Sequence, residues 1–490
     1  MPDLSPHAPA QPQFQRALTL FDAVMLVTGS MIGSGIFIVS ADIARQVGSA
    51  GWLLAVWLLT GLITICGAVS YGELAAMFPK VGGQYVYLRE AFGRPVAFLY
   101  GWTLFLVIQT GVIAAVAVAF AKFLGVLWPW SSVKNVLVEV GGFTLNSAQV
   151  VAIALIVGIT ALNAQGVRTG KLIQNVLSST KLVALALLIV FGVALGYNHA
   201  AVAANFANVW EAVRHPATGG ALPLSGTALA VAVGMAMSGS LFSSDSWNNI
   251  GFAGEEIQNP ERTLVRSMAL GTAIVTALYI LLNVVYLLVL PLAGSPTATT
   301  VAGRGIMYAQ DDRVATAVAE SVLGGPGAYV LAILIMLSTF GANNGIILSG
   351  ARAYFAMAKD GLFFPSLGRL NGAGVPGRAL WAQALWASLL CLSGSYGELL
   401  NYVMFSVILF YVVTIVGIFV LRRTRPDAPR PYRAWGFPVV PGLYILLASA
   451  FCAVLLFAPD TAEYSRRGLL LVALGLPVYW LFGRRMGRVG

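Results

Sequence analysis

Gly29-Ser30-Met31-Ile32-Gly33-Ser34-Gly35-Ile36-Phe37 lies in the middle of an apolar run from Phe21 to about Val47. The run is long enough to cross a bilayer, which takes roughly 20 helical residues. Its centre is a poor helix, because three glycines fall within seven positions and each costs about 1 kcal/mol against alanine. Backbone that leaves the helix at membrane depth must be buried in protein or line a cavity. In secondary transporters such an interruption marks the substrate site. The stretch therefore implies a broken membrane-spanning helix and, with it, a carrier.

The rest of the chain agrees. Of 490 residues, 58% are apolar and 10% charged, and the mean hydropathy is +0.82. Soluble domains run near 25% charged, so the expected class is an all-α integral membrane protein. Alternating segments of about 10 residues, the mark of a β-barrel, are missing. Hydropathy predicts about twelve spans. They lie near residues 21–47, 51–78, 94–124, 147–164, 172–196, 226–253, 264–291, 326–357, 379–395, 397–421, 436–457 and 468–485. Residues 1–20 and 486–490 read as tails. The first tail holds Pro2, Pro6, Pro9 and Pro12 and is not a signal peptide.

A net charge of +10 invites a nucleic-acid reading, but the distribution excludes it. Basic residues crowd alternate loops, for example Arg168 and Lys171, then Arg262 and Arg266, then Arg422, Arg423 and Arg425. The intervening loops hold few. This is the positive-inside pattern, and it predicts that both termini are cytoplasmic. Cys66, Cys391 and Cys452 all fall in apolar spans, so no structural disulfide and no disulfide-linked partner is expected.

The sixth span repeats the anomaly of the first. Ser238-Gly239-Ser240-Leu241-Phe242-Ser243-Ser244-Asp245-Ser246-Trp247-Asn248 stands where apolar residues are expected. Interrupted helices at matching positions of two halves point to an inverted-repeat transporter. The halves would be residues 21–196 and 226–421, with 436–485 appended. The alternative is that Gly and Ser serve close helix packing.

Each break would leave half-helix ends at the midplane, amide groups favouring an anion and carbonyls a cation. A zwitterionic amino acid satisfies both. The amides of Ile32, Gly33, Ser34 and Gly35 would take its carboxylate, and carbonyls near Val27 and Phe242 its ammonium. Lys181 sits in span five about 15 Å from the basic end, at 1.5 Å per residue. A charge there costs roughly 2.5–3.5 kcal/mol on insertion scales. The ammonium either stands where another carrier holds Na⁺, joining span one to Ser338 and Thr339 of span eight, or makes a structural ion pair. Asp245 is either a counter-charge for a substrate amine or a helix cap. Phe242 and Trp247 form a lid or pack against neighbours. Asn343 and Asn344 face the site or bind helices together. No phosphate-binding GxxxxGK[ST] loop and no metal-ligand spacing occurs, so no cofactor or metal is expected.

Seven segments in order carry a resemblance that covers nearly the whole chain: 29–37, 71–88, 181–190, 241–249, 254–263, 337–345 and 351–365. Among them are YGELAAMFPKVGGQYVYL (71–88) and ARAYFAMAKDGLFFP (351–365). The chain resembles the amino acid–polyamine–organocation superfamily, above all its L-type amino acid transporter branch and bacterial relatives. The resemblance implies a five-plus-five inverted repeat with broken spans one and six, and sodium-independent transport of L-amino acids by exchange or proton coupling. It makes Gly29–Gly35 the α-carboxylate site, Phe242 the gate and Lys181 the substitute for sodium. Asp245 matches an acidic position of members that accept cationic as well as neutral amino acids, although small-neutral carriers also have it. The external cysteine with which eukaryotic members bond an ancillary glycoprotein has no counterpart here. That suggests a bacterial inner-membrane chain acting alone. The rival readings are a polyamine carrier of the same superfamily, against which the intact glycine cradle argues, and a channel or membrane enzyme. The last two lack filter-like repeats or clustered acid–base residues.

Overall fold

The computed structural model describes residues 16–486 except 142, 217–219 and 393–395. Most of the expected tails, residues 1–15 and 487–490, thus lies outside the described residues, as do the side chains of Arg168 and Lys171. Span one is α1 (Leu20–Met31) followed by α2 (Gly35–Ile38) and α3 (Ser40–Val47), with a bend of 42° at the break. α1 opens on a capping box, in which Thr19 and Asp22 each accept the other's backbone N–H. Then come α4 (Ala50–Met77), α5 (Gln84–Phe92), α6 (Arg94–Thr103) and α7 (Gln109–Leu127). A π turn at Leu104–Ile108 joins α6 to α7. There Thr110 Oγ1 donates to the Phe105 carbonyl at 2.7 Å.

β1 (Val136–Val140) and β2 (Phe143–Asn146) form an antiparallel hairpin. α8 (Ser147–Asn163), α9 (Val167–Leu195) and α10 (His199–Ala207) follow, and then the minimal pair β3 (Val213–Arg214) and β4 (Leu222–Pro223). Span six is α11 (Gly226–Ser243) and, past a break, a 3₁₀ segment at Trp247–Glu256. The chain continues as α12 (Pro260–Val289), α13 (Val301–Arg304), α14 (Val314–Leu323) and α15 (Gly325–Lys359). It closes with α16 (Gly377–Cys391), α17 (Tyr396–Thr424), α18 (Val439–Phe457) and α19 (Ala462–Met486).

Among the described residues eight helices pass as membrane spans on length and apolarity, or nine with the bent pair of span one. α8 and α16, at 17 and 15 residues, and α19, with Arg466 and Arg467 in its first turns, hold the places of the other three expected spans without meeting that measure. The class is all-α and membrane-spanning; length and apolarity account for nine of the twelve expected spans.

The long helices join two faces, an N-terminal face where α1 begins and a far face where α3 ends. On the N-terminal face Arg352 clasps Glu256 through two hydrogen bonds of 2.6 and 3.1 Å. Leu18, just before α1, makes an isolated β-bridge to Ile257, and Glu73 receives Arg422 at 2.6 Å and the Ala434 amide at 2.7 Å. On the far face Arg45 of α3 donates to Asp312 Oδ1 at 2.8 Å and to the Met307 carbonyl at 2.6 Å. Between these closures both breaks are shut away: residues 27–40 and 234–254 are buried without exception.

The close approach of the two interrupted spans depends on Gly35. A Cβ there would overlap Ser243 Oγ and come within 2.8 Å of Ser243 Cβ and 3.0 Å of its Cα. Overpacking of this kind costs typically 1–3 kcal/mol. Gly35→Ala should therefore lower the thermal midpoint in detergent by several degrees, and Ser243→Gly in the same chain should restore part of it. An unchanged midpoint in Gly35→Ala would show that α2 and α11 do not touch at this point.

Candidate functional site

A helix end leaves up to four carbonyls without partners, and in α1 that end is deep in the protein. Ile32 N and Gly33 N fold back onto the Thr28 and Met31 carbonyls, at 2.9 and 2.8 Å. The Gly29 and Ile32 carbonyls are taken by Lys181, whose Nζ donates at 2.6 and 2.9 Å, with a third bond of 3.0 Å to the Ser338 carbonyl. Ser338 Oγ also donates to the Ile32 carbonyl, at 3.1 Å. Three acceptors match the three N–H donors of an ammonium, placed at the negative end of a helix dipole. Lys181 is only 2% exposed, and among the described residues it makes no ion pair. Its partners are backbone carbonyls of α1 and α15, so the structural ion pair left open by the sequence is not what holds it.

Tyr279 of α12 joins the two breaks. Its hydroxyl lies 3.1 Å from both the Met31 carbonyl, at the end of α1, and the Ser243 carbonyl, at the end of α11. Trp57 stacks edge-on against its ring at 5.4 Å. One turn on, Asn283 donates to the Tyr279 carbonyl at 2.8 Å and accepts from Ser40 Oγ at 2.7 Å. Tyr286 OH then reaches the Ile36 carbonyl at 3.2 Å. One face of α12 thus lines up with the whole course of span one.

The second break differs from the first. Ser246 takes a left-handed conformation, φ 71°, and the chain continues as 3₁₀ rather than α-helix. Asn248, Asn249, Gly251 and Gly254 are weak α-formers, which accounts for the tighter winding. Asp245 points sideways: Tyr411 OH of α17 donates to its Oδ1 at 2.6 Å, with Asn248 Oδ1 2.9 Å from the same hydroxyl. Asn248 Nδ2 donates to Gln84 Oε1 at 3.0 Å, and Gln84 Nε2 to Thr414 Oγ1 at 2.9 Å. Ser246, not Asp245, is the N-cap residue of the 3₁₀ segment, and it makes no side-chain cap bond. A cavity of about 20 Å³ opens beside this network, lined by Asp245, Gln84, Tyr100 and Gln109 and by Leu104 and Ile108 of the π turn. It holds about one water.

The other expected residues divide. Gly33 and Ser34 form the turn between α1 and α2 and Gly35 opens α2, and Gly33 has open space, with the Ala342 Cβ 3.9 Å from where its own Cβ would stand. Val27 lies a turn before the break, inside α1, fully buried and packed on Gly271. Its carbonyl is not part of the helix end. Phe242 is buried in the last turn of α11, at the break. Thr339 is next to Ser338 but turns its hydroxyl to the Ile335 and Met336 carbonyls of its own helix, at 3.0 Å each, away from Lys181. Trp247 packs edge-on against Tyr71, ring centres 5.1 Å apart. Asn343 donates to the Ile113 carbonyl at 3.3 Å, binding α15 to α7, while Asn344 Nδ2 is buried without a partner. Tyr279, Tyr411 and Gln84 are additions that the sequence reading missed. Among the described residues no three His, Cys, Asp or Glu side chains gather as a metal centre.

Residues 18–481 match the family model described as amino acid permease. The b(0,+)-type amino acid transporter 1 of Mus musculus is 31% identical over 96% of this chain and 88% of its own length. The human protein of that name is 29% identical over 97% and 89%. The large neutral amino acids transporter small subunit 2 of Mus musculus is 30% identical over 98% of this chain and 84% of its own.

Removing the ammonium takes a charged donor from three buried carbonyls; Ile32's keeps Ser338 Oγ and Ser338's lies within α15, so the loss falls mainly on the Gly29 carbonyl, at about 1–3 kcal/mol. Lys181→Met should lower the thermal midpoint and cut amino-acid uptake at least tenfold in protein that still reaches the membrane. Near-normal uptake would remove Lys181 from the working parts of the site.

Proposed function

This chain belongs to the amino acid permease family, and we propose that it carries L-amino acids by alternating access, with the substrate bound between the two interrupted spans. It is a permease and not an enzyme. The observation that carries the proposal is the meeting of two broken helices at one tyrosine hydroxyl, with an ammonium behind the first of them. The amides at Ser34 and Gly35 take the substrate carboxylate, those of Ile32 and Gly33 being bonded within the turn itself. The carbonyl end of α11, at Phe242 and Ser243, takes its ammonium, and Phe242 closes over it. Lys181 supplies the fixed positive charge that a bound Na⁺ supplies elsewhere, so transport needs no sodium. Asp245, within the second break, accommodates a cationic side chain with Tyr411 as its partner.

Exchange is favoured over proton symport by the coordination of Lys181. Its three N–H donors are all committed to carbonyls, the setting of a permanent cation and not of a group that trades its proton each cycle. The division into repeats 21–196 and 226–421 belongs to the same proposal, as does the full count of twelve spans. The N-terminal face is taken as cytoplasmic because the basic residues gather there. A bacterial inner membrane is supported by the lack of an external cysteine. One relative is named a small subunit, and that name speaks of a partner for that protein. Here any such partner would be held without a disulfide, since Cys66 and Cys391 are buried and Cys452 half-buried.

In sodium-free proteoliposomes, labelled amino acid should enter only when unlabelled amino acid is inside. Uptake into empty vesicles that follows an imposed proton gradient would contradict exchange. Asp245→Asn should lower uptake of arginine relative to leucine by about tenfold, one charged contact being worth roughly 1.5–3 kcal/mol. An unchanged ratio would remove Asp245 from substrate selection.

A further inference from the structure

The far face carries a second polar cavity, of about 110 Å³, lined by Thr299, Arg304, Gln310, Arg313, Thr316 and Glu320 among others. At about 10–15 Å³ per water, it has room for the atoms of a small amino acid, unlike the space of about 20 Å³ beside Asp245. It lies in the segment from Leu290 to Gly325 that links α12 to α15, built from α13 and α14.

Its lining is unevenly used. Arg313 is spent: it donates to the Lys122 carbonyl at 3.1 Å and pairs with Asp311 at 3.1 Å. Arg304 is anchored only through Nε, which donates to the Ala298 carbonyl at 2.7 Å. Among the described residues its two terminal nitrogens have neither a carboxylate nor a carbonyl. Thr316 Oγ1 is buried with no hydrogen-bond partner, its residue 7% exposed. A buried hydroxyl without a partner costs about 1–3 kcal/mol, which a bound acceptor would recover. Glu320 and Gln310, also in the lining, are exposed, and Glu320 makes no ion pair among the described residues. A guanidinium fork and a hydroxyl suit a carboxylate, and a carboxylate in the same lining suits an ammonium.

The same segment is tied to span one. Asp312, between Gln310 and Arg313, receives Arg45 from the end of α3 at 2.8 Å, and α14 packs against α2. What binds in the cavity therefore rests on the element that holds the outer half of the broken helix.

We infer that this cavity is a second amino-acid site in the outer lid, which binds a zwitterion through Arg304 and Thr316 on its carboxylate and Glu320 on its ammonium before the substrate reaches the break. The inference rests on the proposed function and on the far face being the outer one. Equilibrium dialysis of the purified full chain with labelled L-leucine, carried to about 10 mM so that millimolar sites register, tests it. Wild type should bind two equivalents. Arg304→Gln should weaken one of them at least tenfold and leave the other. Thr316→Val, which removes only the unpartnered hydroxyl and keeps the helix packing, should weaken the same one several-fold. A single equivalent in wild type, or two that neither substitution alters, overturns the lid site and leaves the transport proposal standing. No binding at all would sink both.

Discussion

A helix that stops inside a membrane protein must find partners for its last carbonyls, and this structure is organised around that requirement. Water is not at hand at that depth, and each unsatisfied group costs several kcal/mol. α1 ends at Met31 among residues that are all buried. Its carbonyls are met by Lys181 from α9, by Ser338 from α15 and by Tyr279 from α12. A break that would otherwise destabilise the fold thereby becomes the joint at which three other helices are held in register. The charge that is expensive to bury alone is repaid by three charge-assisted hydrogen bonds.

The same joint bears on the alternating access proposed above. Span one is held at its N-terminal end by the Leu18–Ile257 bridge beside the Glu256–Arg352 clasp, and at its far end by Arg45 on Asp312. Each closure is a small set of ionic and backbone bonds that can be exchanged for water one face at a time. The middle, by contrast, is tied through side chains to α9, α12 and α15. Rocking about a fixed centre is the motion such a distribution of bonds favours, with the ends released alternately.

Much of this was legible in the sequence, and the reason is energetic. Glycines and serines at 29–35, small polar residues at 238–246 and a lysine at 181 are costly in an apolar span, so each announces a compensating feature. What the sequence did not carry is direction. Tyr279 and Tyr411 are ordinary residues for a membrane helix, and nothing in hydropathy says that their hydroxyls point at a break. A clue existed, since a buried tyrosine hydroxyl needs a partner, but span order alone does not choose it. Thr339 was read as a companion of Ser338, yet adjacent residues on a helix stand about 100° apart, and only Ser338 faces α1. Val27 was placed at the helix end when it sits a full turn inside. The second break was read as a copy of the first, whereas its two asparagines and two glycines wind the chain into 3₁₀ form. The hairpin at 136–146, the short helix α5 and the π turn left no periodic signal long enough to read.

The most direct measurement is an electron cryomicroscopy map of the chain with L-leucine bound. The account predicts ligand density between the ends of α1 and α11, its carboxylate about 3 Å from the amides of Ser34 and Gly35, and Lys181 still on the Gly29 and Ile32 carbonyls. Density in which the carboxylate binds Lys181 itself, or in which the ligand lies away from both breaks, would contradict it.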